Sequence, residues 1–235
     1  INIPASMTSI GVGMFSNMSS LTSITIPAGM TSIGENAFED ATGLNSINIP
    51  ASVTSIGASA FTRSSSLTSV TFEAGSQLTS IGERAFINMS SLTDINIPDS
   101  VTSIGSYVFY GASSLSSITI PSGVTSIGSR AFGNNSQLNT ITIPDSVTSI
   151  ASDAFYGASS LTNVIISETN QLPGITSPAT GVSFFGQTVT TFTEPQAPAS
   201  IDLSHNSIDE NAVVGAIIGD LSSINAVDDN NLYTY

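Results

Sequence analysis

The chain has 235 residues, a formal net charge of -14 at pH 7 and only 9% charged residues, so serine, threonine and asparagine must supply its solubility. Such an acidic surface repels polyphosphates, which argues against nucleic acid as a partner. Cysteine is absent, which excludes disulfides and thiolate metal sites, and no apolar run reaches the roughly 20 residues that span a bilayer, so no direct membrane insertion of this segment is expected.

An internal repeat runs through most of the chain. A phrase of the type Leu-Thr-Ser-Ile-Thr-Ile-Pro returns every 23 residues, with one spacing of 25. The leading leucines are Leu21, Leu44, Leu67, Leu92, Leu115, Leu138 and Leu161. In the longer spacing, residues 73–77 replace the usual Pro-x-x, which predicts a loop inserted into a regular scaffold.

One repeat unit predicts two short strands and a tight turn. Residues 21–26 alternate between apolar and polar side chains, which predicts a strand that Pro27 ends. Residues 30–34 predict a second extended segment, and residues 35–38 predict a single helical or 3-10 turn that places its phenylalanine inward. Because one unit cannot bury its apolar side chains alone, the pattern predicts a mostly β repeat solenoid in which equivalent side chains stack in columns.

The fixed positions of the unit form the motif L-x-x-I-x-I-P-x-x-V-T-S-I-G-x-x-A-F, clearest at residues 92–109, 115–132 and 138–155. This motif resembles the BspA-like leucine-rich repeats of bacterial and protist surface proteins. The resemblance covers residues 1–166 and implies a leucine-rich-repeat solenoid with a parallel β-sheet on one face. It also implies an extracellular or cell-surface location and an adhesive, non-enzymatic role.

The repeat decays after the last leucine, and three further segments are predicted. Residues 167–194 are interpreted as a divergent capping repeat and residues 195–200 as a linker. Residues 201–235 resemble the start of a cadherin-like domain, which implies partial β-sandwich strands. In that family a glutamate of an x-Glu-Asn motif and an aspartate of a later Asp-x-Asp bind calcium, which the resemblance places at Glu210 and Asp228.

The polar positions of each first strand form the candidate ligand-binding face. Positions three and five face solvent because positions one, four and six are apolar. They are occupied by Ser23, Thr25, Ser46, Asn48, Ser69, Thr71, Asp94, Asn96, Ser117, Thr119, Thr140 and Thr142. This ladder of small polar groups either solvates the sheet or forms a shallow platform for a protein or glycan, and no aromatic residue projects from it as a binding hot spot.

No motif indicates catalysis. His205 is the one histidine, and no nucleophile accompanies it in a recognisable arrangement. We therefore predict a non-enzymatic adhesion or interaction module of a cell-surface or secreted protein. Three alternatives stay open: a structural stalk or sheath subunit without a specific ligand, an ice- or crystal-surface binder, and a carbohydrate-active accessory domain.

Overall fold

The computed structural model describes residues 1–166 and the strands Val182–Phe184, Gln187–Val189 and Thr191–Thr193. Over residues 1–166 the chain winds into a β-solenoid whose coils follow the period of the sequence. Equivalent strands of successive coils lie side by side and pair in parallel. The predicted mostly β solenoid is therefore confirmed.

The strands are short, and they fall into two rows along the solenoid. In chain order they are β1 (Ser9–Ile10), β2 (Ser32–Ile33), β3 (Ser46–Ile49), β4 (Ser55–Ile56), β5 (Ser69–Phe72), β6 (Ser80–Ile81), β7 (Asp94–Ile95), β8 (Ser103–Ile104), β9 (Ser117–Thr119), β10 (Ser126–Ile127), β11 (Thr140–Ile143), β12 (Ser149–Ile150), β13 (Asn163–Ile166), β14 (Val182–Phe184), β15 (Gln187–Val189) and β16 (Thr191–Thr193). The first row contains β3, β5, β7, β9, β11, β13 and β16, and the second row contains β1, β2, β4, β6, β8, β10 and β12. The resemblance implied one parallel sheet, whereas each coil contributes to two rows.

A column of phenylalanine rings runs through the interior of the solenoid. The column contains Phe15, Phe38, Phe61, Phe86, Phe109, Phe132 and Phe155. Successive ring centroids lie 5.1 to 5.6 Å apart, with planes inclined by 3 to 19°. All rings after the first are completely buried, so the column links the coils through continuous apolar contact.

The segment that carries each phenylalanine, which we call the arc, contains no helix in the described coils. The amide of Phe38 donates to the carbonyl of Ala60 in the next coil (2.7 Å), whereas the amide of Ala37 donates back to Gly34 (3.3 Å). Asn36, directly before Ala37, has a left-handed φ of 53°, which a right-handed helix does not accommodate. The predicted helical or 3-10 turn is therefore wrong, because arc amides bond alternately between coils and within a turn.

Two positions of the arc have positive φ, and their occupants form two columns across the coils. Glycine and asparagine adopt this conformation with the least strain, which explains their frequency in the arcs. The first column contains Gly13, Asn36, Ser59, Arg84, Tyr107 and Arg130, and the second contains Asn17, Asp40, Arg63, Asn88, Gly111, Asn134 and Gly157.

Successive backbones approach each other closely at the glycine that follows most second-row strands. A Cβ atom added at Gly57 would lie 2.6 Å from the backbone nitrogen of Glu35, a distance that requires the backbone to shift. At Gly105 the nearest atom would be a methyl carbon of Val108 at 3.8 Å, an ordinary contact. The space between coils is therefore wider at Gly105 than at Gly57.

The wider spacing coincides with an interruption of both rows. We count each coil from its second-row strand through the arc to its first-row strand. Between the coil of Phe86 and the coil of Phe109, β6 does not pair with β8 and β7 does not pair with β9. The arcs still bond there, since the amides of Phe86 and Asn88 donate to the carbonyls of Val108 (3.0 Å) and Tyr110 (2.7 Å). We call this place the junction.

The chain beyond the repeats divides at Gln196, with one unit over Ile1–Gln196 and a second over Ala197–Tyr235. Within the first unit β16 pairs in parallel with β13, and β14 pairs antiparallel with β15. The interpretations of residues 167–194 as a cap and 195–200 as a linker stay predictions. The cadherin-like interpretation of residues 201–235, with its β-sandwich strands, lies outside the described residues.

Candidate binding face

The candidate binding face is the outer side of the first row, where polar side chains project between buried isoleucines. Ser46, Ser69 and Asp94 lie side by side in parallel register, and Asn48 pairs with Thr71. All five side chains are exposed or half-exposed. The alternation of buried and exposed positions in these strands agrees with the sequence pattern.

A second part of the face lies beyond the junction. There Thr140 pairs with both Ser117 and Asn163, and Thr119 pairs with Thr142. The sequence predicted one continuous ladder of polar groups, but the strands of Asp94 (β7) and Ser117 (β9) do not pair with each other. The face therefore consists of two separate ladders.

Three further predicted residues lie on the face outside these registers. Thr25 forms an isolated parallel bridge with Asn2 near the start of the chain, and Ser23 lies exposed two residues before it. Asn96 is exposed and follows β7 directly. The pairing of β5 with β7 covers two residues, against four for β3 with β5, so Asn96 lies where the strands have already separated.

Hydrogen bonds fix the inserted loop against the preceding coil. The amide of Asn48 donates to one carboxylate oxygen of Glu73 (3.0 Å), and the backbone amide of Ala51 donates to the other (3.1 Å). The hydroxyl of Thr71 donates to the amide oxygen of Asn48 (3.0 Å). Glu73 thus binds backward along the solenoid, whereas the hydroxyl of Ser100 in the next coil donates to the carbonyls of Ser76 (3.2 Å) and Leu78 (2.6 Å) at the end of the loop.

A cleft of about 780 Å³ lies between the inserted loop and the following coil. Its volume falls within the range typical of small-ligand sites, about 300–1,000 Å³. Among the residues that line it are Thr71, Phe72, Glu73, Asp94, Asn96 and Asp99. The cleft combines carboxylate, amide and hydroxyl groups with one aromatic ring.

Phe72 also lines the cleft, and the sequence pattern did not predict it there. It occupies an inward position that is isoleucine in the other repeats up to residue 166, yet it is only half-buried and lines the cleft. The expectation that the face lacks an aromatic contact needs correction at this point. The signal was present, since phenylalanine and glutamate replace the usual Ile-Pro directly before the insertion.

The described part of the chain offers no evident place for a metal. Among these residues no group of three or more histidine, cysteine, aspartate or glutamate side chains is arranged to hold a metal ion. The predicted calcium ligands Glu210 and Asp228, and also His205, lie outside the described residues. In the described chain no helix has the length and apolar character needed to cross a membrane.

The described groups with a resolved pKa shift lie on the arc, not on the binding face. Arg63 donates from Nε (2.9 Å) and from Nη2 (2.7 Å) to the carboxylate of Asp40 and also donates to Glu39 (2.8 Å). The hydrogen bonds from Arg63, and to a lesser extent its charge, hold the pKa of Asp40 below its usual value of 3.8, against the opposing effect of burial. The hydrogen bond with Asp40 raises the pKa of Arg63.

We expect Arg63→Asn to return the pKa of Asp40 toward its usual value, because asparagine adopts the same backbone conformation without the charge. Since the pKa is lower in the folded than in the unfolded chain, the contact stabilises the fold above about pH 4 and is lost as the pH falls through the folded value. The pair is largely exposed, so it contributes at most about 1 kcal/mol. Carboxyl NMR titration measures the shift, and an identical titration of Asp40 in both proteins would contradict the assignment to Arg63.

Comparison of the sequence with known protein families agrees with the repeated coils of the solenoid. The signature described as "BspA type Leucine rich repeat region" matches the chain in 6 copies, over residues 1–113 and 79–201. The chain belongs to the BspA-type leucine-rich repeat family. No curated protein matches this BspA-type chain significantly.

Several solved structures are similar to the BspA-type chain. A leucine-rich repeat protein from Bacteroides ovatus is 27% identical with a TM-score of 0.55, over 72% of this chain and 49% of that one. The T. pallidum leucine-rich repeat protein is 25% identical with a TM-score of 0.57, over 72% of this chain and 80% of that one. A leucine-rich cell surface protein from Faecalibacterium prausnitzii is 31% identical with a TM-score of 0.42, over 70% and 59%. The BspA-type chain thus spans about half the length of the B. ovatus protein.

Proposed function

We propose that this chain is a non-enzymatic interaction module of a cell-surface or secreted protein, which binds a protein or glycan along the polar face of the first row. Membership of the BspA-type family and the similarity to the F. prausnitzii cell surface protein support the class and the location. The observation that carries the proposal is the cleft beside the inserted loop, because polar residues of the face line it together with an aromatic ring.

The chemistry of the cleft supports a polar ligand. Asp94 and Asp99 supply carboxylate acceptors, Asn96 supplies both a donor and an acceptor, and Phe72 supplies an apolar surface. Sugar hydroxyls and peptide amides pair with such groups, and an aromatic ring contacts the apolar side of either ligand. The loop is fixed by Glu73, so a bound ligand would order few side chains on binding.

The two ladders on either side extend the contact area. Ser69 and Thr71 line the cleft, and Thr119 and Thr142 continue the face beyond the junction. Each small polar group contributes weakly, so a long ligand or several ligands on one surface would gain from the sum of contacts. The cleft provides the specific contact, and the ladders provide additional area.

The decisive experiment shortens the inserted loop. Deletion of Ala74 and Gly75 restores the 23-residue spacing, which we expect to close the cleft while keeping the fold. Ligands are first identified on an array of glycans and extracellular-matrix proteins, and affinities are then measured by calorimetry. We expect the shortened chain to bind at least about tenfold more weakly, a loss of about 1.4 kcal/mol.

Ser103→Ala is the matched control, because Ser103 is exposed on the second row, away from the cleft. We expect this variant to bind like the unchanged chain. Equal affinity of the loop-shortened chain would remove the cleft from the binding site. Absence of any ligand at concentrations up to about 1 mM would favour a structural stalk instead.

A further inference from the structure

A row of alternating arginine and tyrosine side chains lies on the outer surface of the arcs. The guanidinium carbon of Arg84 lies 4.9 Å from the ring centroid of Tyr107, and that of Arg130 lies 5.9 Å from the same ring. Arg130 also lies 5.0 Å from the ring centroid of Tyr156. Four side chains from successive coils thus follow one another in the order Arg, Tyr, Arg, Tyr, which we call the Arg–Tyr row.

The backbone positions of this row are unfavourable for large side chains. Arg84, Tyr107 and Arg130 all have positive φ, between 48 and 59°. The same column has Gly13 and Asn36 in earlier coils, which adopt this conformation with less strain. Strained positions that persist in large side chains indicate a role for those side chains.

The composition and exposure of the row are those of an interface. All three tyrosines of the described residues lie in or beside the row. Tyr107 and Tyr156 belong to it, and the ring centroid of Tyr110 lies 5.6 Å from that of Tyr107. Tyrosine and arginine are enriched at protein interfaces and their hot spots. The side chain of Arg84 is 49% exposed, and Tyr156 is 56% exposed.

Charge favours a protein partner over a polyanion. Arg84 forms an ion pair with Glu83 (2.6 Å), and Arg130 lies 3.4 Å from a carboxylate oxygen of Asp153. The two positive charges of the row are therefore matched locally by two negative ones. A polyanion would meet these carboxylates and the net charge of -14 of the chain.

We propose that the Arg–Tyr row is a self-association surface, at which two copies of the chain meet about a two-fold axis. An alternating row of four is complementary to itself when one copy is reversed. Arg84 then faces Tyr156 of the second copy, and Tyr107 faces Arg130 of the second copy. The three spacings of 4.9, 5.9 and 5.0 Å are nearly symmetric about the middle of the row, as this arrangement requires.

The reversed arrangement also satisfies the chemistry of each pair. Guanidinium N–H groups of one copy face phenol oxygens and ring edges of the other, and arginine never faces arginine. Two-fold dimers with the same patch on both subunits are the commonest symmetric assemblies. The patch is small, so the dimer is weak and depends on concentration.

The effect of salt on dimerisation distinguishes this dimer from one that is held together by intermolecular ion pairs. Two chains that each carry a net charge of -14 repel each other, and added salt screens that repulsion. We therefore expect dimerisation to strengthen when sodium chloride is raised from about 20 mM to about 200 mM. An interface of intermolecular ion pairs would weaken instead.

The test is sedimentation velocity of the full chain from about 1 μM to about 1 mM. We expect a shift from monomer to dimer with rising concentration. Tyr107→Arg places arginine opposite Arg130 of the second copy, so this variant is expected to stay monomeric. Arg130→Tyr places tyrosine opposite tyrosine and is expected to dimerise more weakly than the unchanged chain. Both substitutions use residue types that the same column already contains.

An equimolar mixture of the two variants restores both facing pairs as arginine against tyrosine. We expect the mixture to form more dimer than either variant alone. Arg63→Asn is the matched control, since Arg63 has the same backbone conformation outside the row, and it should dimerise like the unchanged chain. Tyr156→Ser, at an exposed position with ordinary φ, gives a second test that does not depend on the strained column.

The proposal fails if the unchanged chain stays monomeric over the whole concentration range. It also fails if Tyr107→Arg and Tyr156→Ser, both still folded by circular dichroism, dimerise as strongly as the unchanged chain. A mixture that forms no more dimer than its components would overturn the reversed arrangement.

Discussion

Replacement of Phe86 by alanine will lower the free energy of unfolding by about 3–5 kcal/mol and split the unfolding transition into two steps. Phe86 is completely buried, and its ring centroid lies 5.4 Å from those of Phe61 and Phe109. Its removal leaves a cavity whose walls lose contacts on both sides. Phe86 also faces the junction, where the arcs and the phenylalanine column connect coils whose strands do not pair.

Phe132→Ala is the matched control for the second part of this prediction. Phe132 is equally buried, with neighbouring rings at 5.6 Å on both sides, but both rows continue through its coil. We expect a similar loss of stability with a single transition. Urea unfolding followed by circular dichroism and by fluorescence measures both quantities, and a loss below about 1 kcal/mol for Phe86→Ala would contradict the packing described.

The second large effect is expected at Gly57, where alanine will lower the free energy of unfolding by about 1–3 kcal/mol or more. The new Cβ atom would lie 2.6 Å from the nitrogen of Glu35 and 2.7 Å from the carbonyl carbon of Gly34. Both are backbone atoms, so the coils must move apart to relieve the overlap. That movement also lengthens the hydrogen bond from Gly57 to the carbonyl of Ile33, now 2.8 Å.

Gly105→Ala provides the comparison, because Gly105 also directly follows a second-row strand. Its Cβ atom would meet nothing closer than 3.8 Å, because the coils are farther apart at the junction. Alanine reduces the freedom of the unfolded chain, so we expect a gain of about 0.4–1 kcal/mol. Thermal denaturation of both variants tests the pair, and equal destabilisation would mean that the spacing at the junction is no wider than elsewhere.

The sequence was sufficient to predict the solenoid because its apolar positions recur with a fixed period. Ile47 and Ile49 alternate with polar residues and are buried, as the pattern requires. The arc was misjudged because Ala37-Phe38 after a glycine has the composition of a helical turn. The bond from Phe38 to the next coil and the left-handed φ of Asn36 exclude a helix there, and no local pattern encodes the bond.

The candidate site was predictable in composition but not in shape. Thr71 and Asp94 were correctly expected on the exposed side of the first row, since strand alternation determines the side. The cleft depends on how far two coils separate around an insertion, which a period of 23 or 25 residues does not specify. Phe72 was overlooked because it occupies a position that is inward in every other strand.

The junction determines how the solenoid responds to tension. When one end is tethered and the other is pulled by a bound ligand, force passes from coil to coil through the bonds that join them. Between the coils of Phe86 and Phe109 the backbone hydrogen bonds lie along the arc, and on the strand side the hydroxyl of Ser100 donates to the carbonyls of Ser76 and Leu78. Because the strands themselves do not pair there, we expect this place to yield before the others. We expect the solenoid to lengthen at the junction under load while the coils on each side stay paired.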